Sequence, residues 1–205
     1  MPQGRQNQVH RSFRVLGQDT PKSKLKYTTP NLSISHLLTP TQVAKIHAIQ
    51  AEYSAFETLH ETDDLIATAA ELSISYIAYS PLGHGWLVDN FDYASPNDFA
   101  PDDFRRTVPK FQGENFYRNK AIVEEIKKLA KKKGCSTSQI ALAWVAGQGM
   151  MPIPGTTKVG RLEENWGSRD VELSEEEMAE MRRIVEQAKP EGERYGEAHR
   201  AWVGH

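Results

Sequence analysis

The order of apolar runs, chain breakers and helical stripes predicts an α/β fold built on a parallel sheet. Three observations predict it. A strand, a helix and a second strand follow one another between Ala48 and Tyr79. Two helical segments then fill Asn115 to Ala146. An apolar run at Met150 to Ile153, a Pro154-Gly155 break and a helix start at Leu162 repeat the order of strand then helix. Alternation of this kind builds parallel strands joined by crossover helices.

Met1 to Pro30 stands apart from that pattern. It carries Arg5, Arg11, Arg14, Lys22, Lys24 and Lys26 against Asp19 alone, with no sustained apolar period. Such composition reads as a disordered basic arm. Two other readings stay open: a weak resemblance to a mitochondrial targeting segment, and a segment standing in place of a lost amino-terminal half. A nucleic-acid arm is disfavoured, because no aromatic platform accompanies the charge. Pro40 to His47 reads as a short helix or linker.

Ala48 to Ser54 is the first strand candidate. Thr62 is placed to cap the next helix, with Asp63 and Asp64 in its first turn, where carboxylates suit the helix dipole. Leu65, Ile66, Ala69 and Leu72 recur at helical spacing. Ser75 to Tyr79 reads as a strand buried on both faces, and Ser80-Pro81-Leu82-Gly83 ends it. His84 to Gly113 is rich in Pro, Asp, Asn and Phe. It is too long for a plain connection, so it is expected to be either functional or mobile.

Asn115 to Lys133 is amphipathic. Ile122, Val123, Ile126, Leu129 and Ala130 form its apolar face, a Glu124–Lys128 pair supports the other, and Gly134 ends it. Ser136 with Gln139 makes a capping box for a helix over Thr137 to Ala146, which Gly147 and Gly149 stop. Past the Met150–Ile153 strand and its helix, Asp170 to Leu173 reads as a short fourth strand. Ser174 with Glu177 is a second capping box. Met178, Met181, Ile184, Val185 and Ala188 form the stripe of a closing helix, which Pro190 ends. Glu191 to His205 is a tail with Trp202 as its anchor.

The strongest chemical signal lies in Met150 to Ser168. Thr156 and Thr157 offer hydroxyls, and Lys158 and Arg161 add cations. The helix start offers unpaired N–H groups and a partial positive charge. Gly155 lets an anion approach the backbone. Arg161 can grip a phosphate with a planar fork, and Lys158 acts as a point charge. Spacing alone leaves this anion cradle level with an ordinary strand-to-helix turn bearing surface cations.

The residues themselves tip the balance. Ile153-Pro154-Gly155-Thr156-Thr157-Lys158, followed by Arg161-Leu162-Glu163-Glu164-Asn165, resembles the cofactor-adenosine signature of the aldo-keto reductases. Gln50-Ala51-Glu52-Tyr53-Ser54 is similar to that family's Q-x-E-Y-S, and Ala78-Tyr79-Ser80-Pro81-Leu82-Gly83 to its A-Y-S-P-L-G. The resemblance implies a partial (β/α)8 TIM barrel, its carboxy-terminal half, with about four βα units and parallel strands.

The same resemblance implies NADP as cofactor. Gln50 would hold the nicotinamide carboxamide and Tyr79 would stack on the ring, fixing the face that delivers hydride. Ser80 and Leu82 would line the pyrophosphate. Gly155, Thr156, Lys158 and Arg161 would hold the pyrophosphate and the 2′-phosphate, whose charge favours NADP over NAD. Glu164 and Asn165 would hydrogen-bond the adenine. Glu52 is read as structural, and Ala55 stands where many family members have Pro. The loop segments Gly83 to Phe91 and Pro101 to Tyr117 resemble the long loop of fungal pyridoxal reductases, which implies an aldehyde or ketone substrate such as pyridoxal.

The family's reaction uses a Tyr acid, a Lys, an Asp and a His from the first half of the barrel. The context D-x-A-x-x-Y-G does not occur, and Tyr27, Tyr53, Tyr76, Tyr79, Tyr93, Tyr117 and Tyr195 sit in other settings. The expectation is therefore an NADP-dependent oxidoreductase chain that lacks its catalytic tetrad, contributes no catalytic residue and is inactive alone. The alternative is a non-catalytic NADP-binding or scaffold half-barrel. His84 has no second His or Cys at ligand spacing, so no metal site is expected.

At 205 residues and 39% hydrophobic, the chain can bury a sizeable core. A full barrel takes about 250 residues. A net charge of −2 gives no whole-chain case for nucleic acid. Cys135 is the single cysteine, which excludes an internal disulfide and suits a reducing, cytoplasmic setting. No apolar run approaches the roughly 18 residues of a membrane span, and no apolar block follows Met1 to His10 as a signal peptide would require. The expected organisation is a basic arm (1–40), a half-barrel (41–190) and a tail (191–205). Open edges on a half-barrel point to self-association.

Overall fold

The computed structural model of the chain describes residues 46–188, 190–193, 195 and 196. The basic arm, most of the expected 40–47 linker and Trp202 lie outside the described residues. Strand β1 (Ala48–Glu52), helix α1 (Leu65–Glu71) and strand β2 (Ser75–Tyr79) form the expected βαβ unit. The two strands are parallel, in register from Ala48 beside Ser75 to Glu52 beside Tyr79. Strand β3 (Met151–Pro152) joins the other side of β2, also parallel, giving the order β1-β2-β3. The Ile153 N–H donates to the Ala78 carbonyl at 3.0 Å. Alternation along a strand then turns positions 152 and 154 outward, and both are proline.

The sheet has two unlike faces. Ile49, Ala51, Tyr76 and Ala78 are buried in the core. Gln50 and Tyr79 lie on the opposite face and are half-buried. The expectation that β2 is buried on both faces is corrected here. Its second face meets an open cleft instead of a covering layer.

Helices α2 (Gly113–Lys133), α3 (Thr137–Gly147), α4 (Val159–Gly167) and α5 (Glu175–Ala188) complete the fold. Helix α3 is the central one, packing on β3, α2, α4 and α5. Ile140, Ala141, Trp144 and Val145 on it have no exposed surface. A helix apolar all round belongs inside. Its capping box forms as expected, with Ser136 Oγ accepting from the Gln139 N–H at 3.2 Å and Gln139 Oε1 accepting from the Ser136 N–H at 3.0 Å. The Ser174–Glu177 box forms too. Tyr53, at the end of β1, stacks on Trp144 with ring centroids 5.6 Å apart.

Several local expectations are corrected. Thr62 does not cap α1. Its hydroxyl closes a 3-10 turn on the Leu59 carbonyl at 2.9 Å, and Asp63 Oδ1 takes the Leu65 N–H at 3.1 Å. The α2 charges pair one residue closer than expected, Lys127 with Glu124 and Lys128 with Glu125. Asp170 to Leu173 does not form a strand. Ser168–Asp170 coils into a 3-10 turn, and the Val171 N–H closes it on Ser168 at 3.2 Å. That donor is spent locally, so the described sheet has three strands.

The long connection after β2 is a packed aromatic layer. Trp86 is 1% exposed. It stacks on Phe56, Phe91 and Phe111 at 5.4, 4.4 and 4.7 Å. Arg105 lies over the rings of Tyr93 and Phe99, held by Asp103 at 2.6 Å. The described part of the tail is docked as well. Glu191 exchanges two hydrogen bonds with Asn119, each 2.9 Å, and Tyr195 is buried.

Candidate functional site

A cleft of about 990 Å³ opens where the carboxyl ends of β1, β2 and β3 meet the amino end of α4. Parallel strands direct their carboxyl ends to one side, and ligand sites of α/β folds gather there. Gln50, Tyr79, Ser80, Leu82, Gly155, Thr156, Arg161, Glu164 and Asn165 all line this cleft. Lys158 does not. It occupies the position before α4, fully outside the lining, and its N–H is held by Thr156 Oγ1 at 3.1 Å.

The α4 end has the character of an anion seat. The first intrahelical bond runs from the Leu162 N–H to the Lys158 carbonyl at 3.0 Å. The N–H groups of Val159, Gly160 and Arg161 therefore have no acceptor within the helix. A Cβ built on Gly155 meets no atom within 4 Å, so the backbone there faces open space. Among the described residues, no carboxylate pairs with Arg161. Asn165 is 9% exposed. Gln139 of α3 fixes this turn by donating to the Glu164 carbonyl at 3.2 Å.

The strand end is tightly wound. Ser80 has φ 51, in the left-handed region that non-glycine residues rarely enter. Its carbonyl accepts the Gly83 N–H at 2.9 Å. Such strain persists only where surrounding contacts impose it, and it gathers at ligand sites. His84, with φ 57, also lines the cleft. Its Nε2 lies 3.1 Å from Glu52 Oε1, near enough for a charge contact but off the line of a hydrogen bond. Glu52 Oε2 accepts from the Tyr195 hydroxyl at 3.0 Å. Glu52 is 2% exposed and acts as a brace.

Asp89, Asn90 and Ser138 also line the wall. Nothing in their sequence setting marks them. Asp89 reaches the cleft because its Oδ1 caps α3, accepting the Thr137 N–H at 3.0 Å and the Thr137 hydroxyl. Tyr53 lies away from the lining. Its hydroxyl donates to Glu61, which Arg182 holds at 2.8 Å. Burial first, and then Glu61, push the Tyr53 phenol above its ordinary range. Among the described residues there is no group of three His, Cys, Asp or Glu side chains placed to hold a metal.

The profile of the Aldo/keto reductase family matches residues 31–186 of the chain. The chain belongs to the aldo/keto reductase family. It is 55% identical over 197 residues to an aldo-keto reductase of Gibberella moniliformis, a match that covers 96% of this chain and 60% of that protein. It is 40% identical over 157 residues to the aldo-keto reductase yakc [NADP(+)] of Schizosaccharomyces pombe, covering 75% of this chain and 46% of that one. The chain thus spans about half to three-fifths of the length of these relatives. The Gibberella match takes in most of residues 1–40, the segment set apart by its basic composition.

Among solved structures, a glycerol dehydrogenase of Gluconobacter oxydans superposes with a TM-score of 0.72 at 28% identity, over 80% of this chain and 49% of that one. A thermostable aldo-keto reductase at 20% identity shares the fold with a TM-score of 0.53. The aldo-keto reductase fold of this chain is a partial α/β barrel with three described parallel strands. No described helix is long and apolar enough to cross a membrane.

Proposed function

We propose that this aldo-keto reductase chain holds NADP(H) in its cleft and serves the reduction of small aldehydes or ketones, with pyridoxal as the first to test. One observation carries the reading: Gln50 and Tyr79 from the strand ends share a single cleft with Arg161, Glu164 and Asn165 from α4. Two chemically different ends in one cleft suit a dinucleotide, aromatic and amide at one end and cationic at the other. The unpaired α4 N–H groups, the open backbone at Gly155 and the Arg161 guanidinium fit phosphate. The name of the Schizosaccharomyces relative carries NADP(+), which supports the choice.

Residue roles follow from position. Gln50 orients the carboxamide, and the Tyr79 ring offers a flat face to the nicotinamide. Ser80 and Leu82 flank the diphosphate. Gly155, Thr156 and Arg161 take the 2′-phosphate end, and Glu164 and Asn165 take the adenine. Lys158, outside the lining, contributes a solvent-screened charge from the rim instead of a direct contact. Held by these residues, NADPH would supply the hydride for a carbonyl carbon, and the proton for the carbonyl oxygen would come from a donor outside this cleft wall or from water.

A second reading is a non-catalytic NADP-binding or scaffold half-barrel. Tyr53 favours it. Burial, and then Glu61, make its phenol a weaker acid than usual, the wrong direction for a proton donor. The tetrad context D-x-A-x-x-Y-G is missing from this sequence. On either reading the organisation is arm (1–40), half-barrel (41–190) and tail (191–205), in a reducing, cytoplasmic setting, with self-association through uncovered surface.

Titration of the chain with NADPH, followed by tryptophan fluorescence, tests the cofactor. Saturable quenching whose midpoint Arg161→Ala moves to about tenfold or more higher NADPH is the expected result. Absence of quenching, or quenching indifferent to Arg161, rejects it. NADPH oxidation with pyridoxal would reject the scaffold reading, which expects none.

A further inference from the structure

The described part of the tail is a strap over the loop that follows β2. Gly196 lies so close to that loop that a Cβ on it would come within 2.5 Å of the Thr107 carbonyl oxygen. Asn119 pins the strap at Glu191. Between these points Tyr195 drops into the body, 5% exposed, and its hydroxyl reaches Glu52 Oε2 at 3.0 Å. The other oxygen of Glu52 faces His84 Nε2. The rings of His84 and Tyr195 meet edge-on at 5.9 Å, and Phe104 lies 5.8 Å from His84. His84 is a wall of the cleft. Gln50, also in the wall, stands two residues before Glu52 on the same face of β1.

We propose that Tyr195 is a positioning residue: through Glu52 it sets where the His84 imidazole stands in the cleft wall, so that the carboxy-terminal strap tunes how the cleft holds its dinucleotide. A buried carboxylate is costly unless its lone pairs are satisfied. Glu52 therefore constrains both Tyr195 and His84. His84 has little freedom to compensate, because its backbone is already in the left-handed region. Removing the Tyr195 hydroxyl leaves the ring packing intact but takes one donor away from the Glu52 carboxylate beside the imidazole. The proposal rests on the NADP(H) reading of the cleft.

The test uses the full chain. NADPH affinity is measured by fluorescence for wild type, Tyr195→Phe and Gly196→Ala, each with its melting temperature. The His84 ring nitrogens are followed by NMR, identified by their loss in His84→Gln. NADPH is expected to shift the His84 signals in the wild type. Tyr195→Phe is expected to weaken NADPH binding roughly three- to tenfold, the scale of one ordinary hydrogen bond, because the residue acts on the cofactor only through Glu52 and His84. Its His84 signals should move even without cofactor, while the melting temperature falls by only about 4 °C or less. Gly196→Ala, which lifts the strap, should act in the same direction, and it carries the test if Tyr195→Phe does not fold. NADPH binding that leaves the His84 signals unmoved, or that is equal in wild type and both variants, overturns the proposal and leaves the cofactor reading standing. A wild-type chain that binds no NADPH removes both.

Discussion

Arg161 is exposed, lines the cleft and has no carboxylate partner among the described residues. A surface guanidinium in that state costs little to keep and has its full hydrogen-bonding fork to offer. Arg161→Ala should weaken NADPH binding by about tenfold or more, the scale of a charge-assisted pair. The same change should leave NADH binding nearly untouched, because NADH has no 2′-phosphate. Paired fluorescence titrations check this. A second residue-scale prediction concerns acid. The Arg105 guanidinium, by hydrogen bonding to Asp103, holds that carboxyl below its ordinary range, with burial opposing. A folded pKa below the unfolded one means stability that is present above the unfolded value and lost as pH falls through the folded value. Urea midpoints at pH about 7 and pH about 3 should therefore differ less in Asp103→Asn than in wild type. The sequence made Arg161 legible because its neighbours form a known string. It gave no sign that His84 would meet Glu52, or that Glu52 would meet Tyr195, more than a hundred positions away in a chain of 205.

At the scale of elements, local chemistry decided what could be read. Capping boxes at Ser136 and Ser174 are written in four consecutive residues, and both form. Ser136→Ala should cost about 1 kcal/mol by chemical denaturation. The strand expected at Asp170 to Leu173 failed for the opposite reason. A strand needs a neighbour, and no local pattern states whether one is present. The long connection after β2 was legible as unusual but not as packed, because its phenylalanines follow no period. Phe91 and Phe111 converge on Trp86 only in the folded chain, and Phe99 packs against both. Trp86→Ala should therefore destabilise the chain by about 3–5 kcal/mol, as loss of a fully buried ring does. It should also loosen the cleft wall at His84, seen as faster proteolysis within residues 84–112.

For the whole molecule, the exposed side of α4 is the outstanding surface. Val159, Leu162 and Trp166 are 72, 60 and 67% exposed. They recur at helical spacing and form one stripe. An apolar stripe left in water favours association. Sedimentation velocity over a hundredfold concentration range should show a species larger than the monomer, and Leu162→Lys should shift it back. A single sedimenting monomer at every concentration would rule this out. The strand-and-helix alternation foretold the parallel sheet. It did not foretell this stripe, since apolar residues at helical spacing do not state whether the face they form is covered.

The two prolines on the outer side of β3 have a bearing on how the protein ages in solution. A peptide laid along that rim would find carbonyl oxygens but no amide hydrogen at positions 152 and 154. Growth of ordered fibrils by strand templating is thereby starved of half its bonds at that border. Clumping of concentrated samples should then stay amorphous and reversible, dispersing on dilution and giving no thioflavin signal. Replacing Pro152 and Pro154 together by threonine would restore the missing hydrogens and should make prolonged storage yield dye-binding filaments.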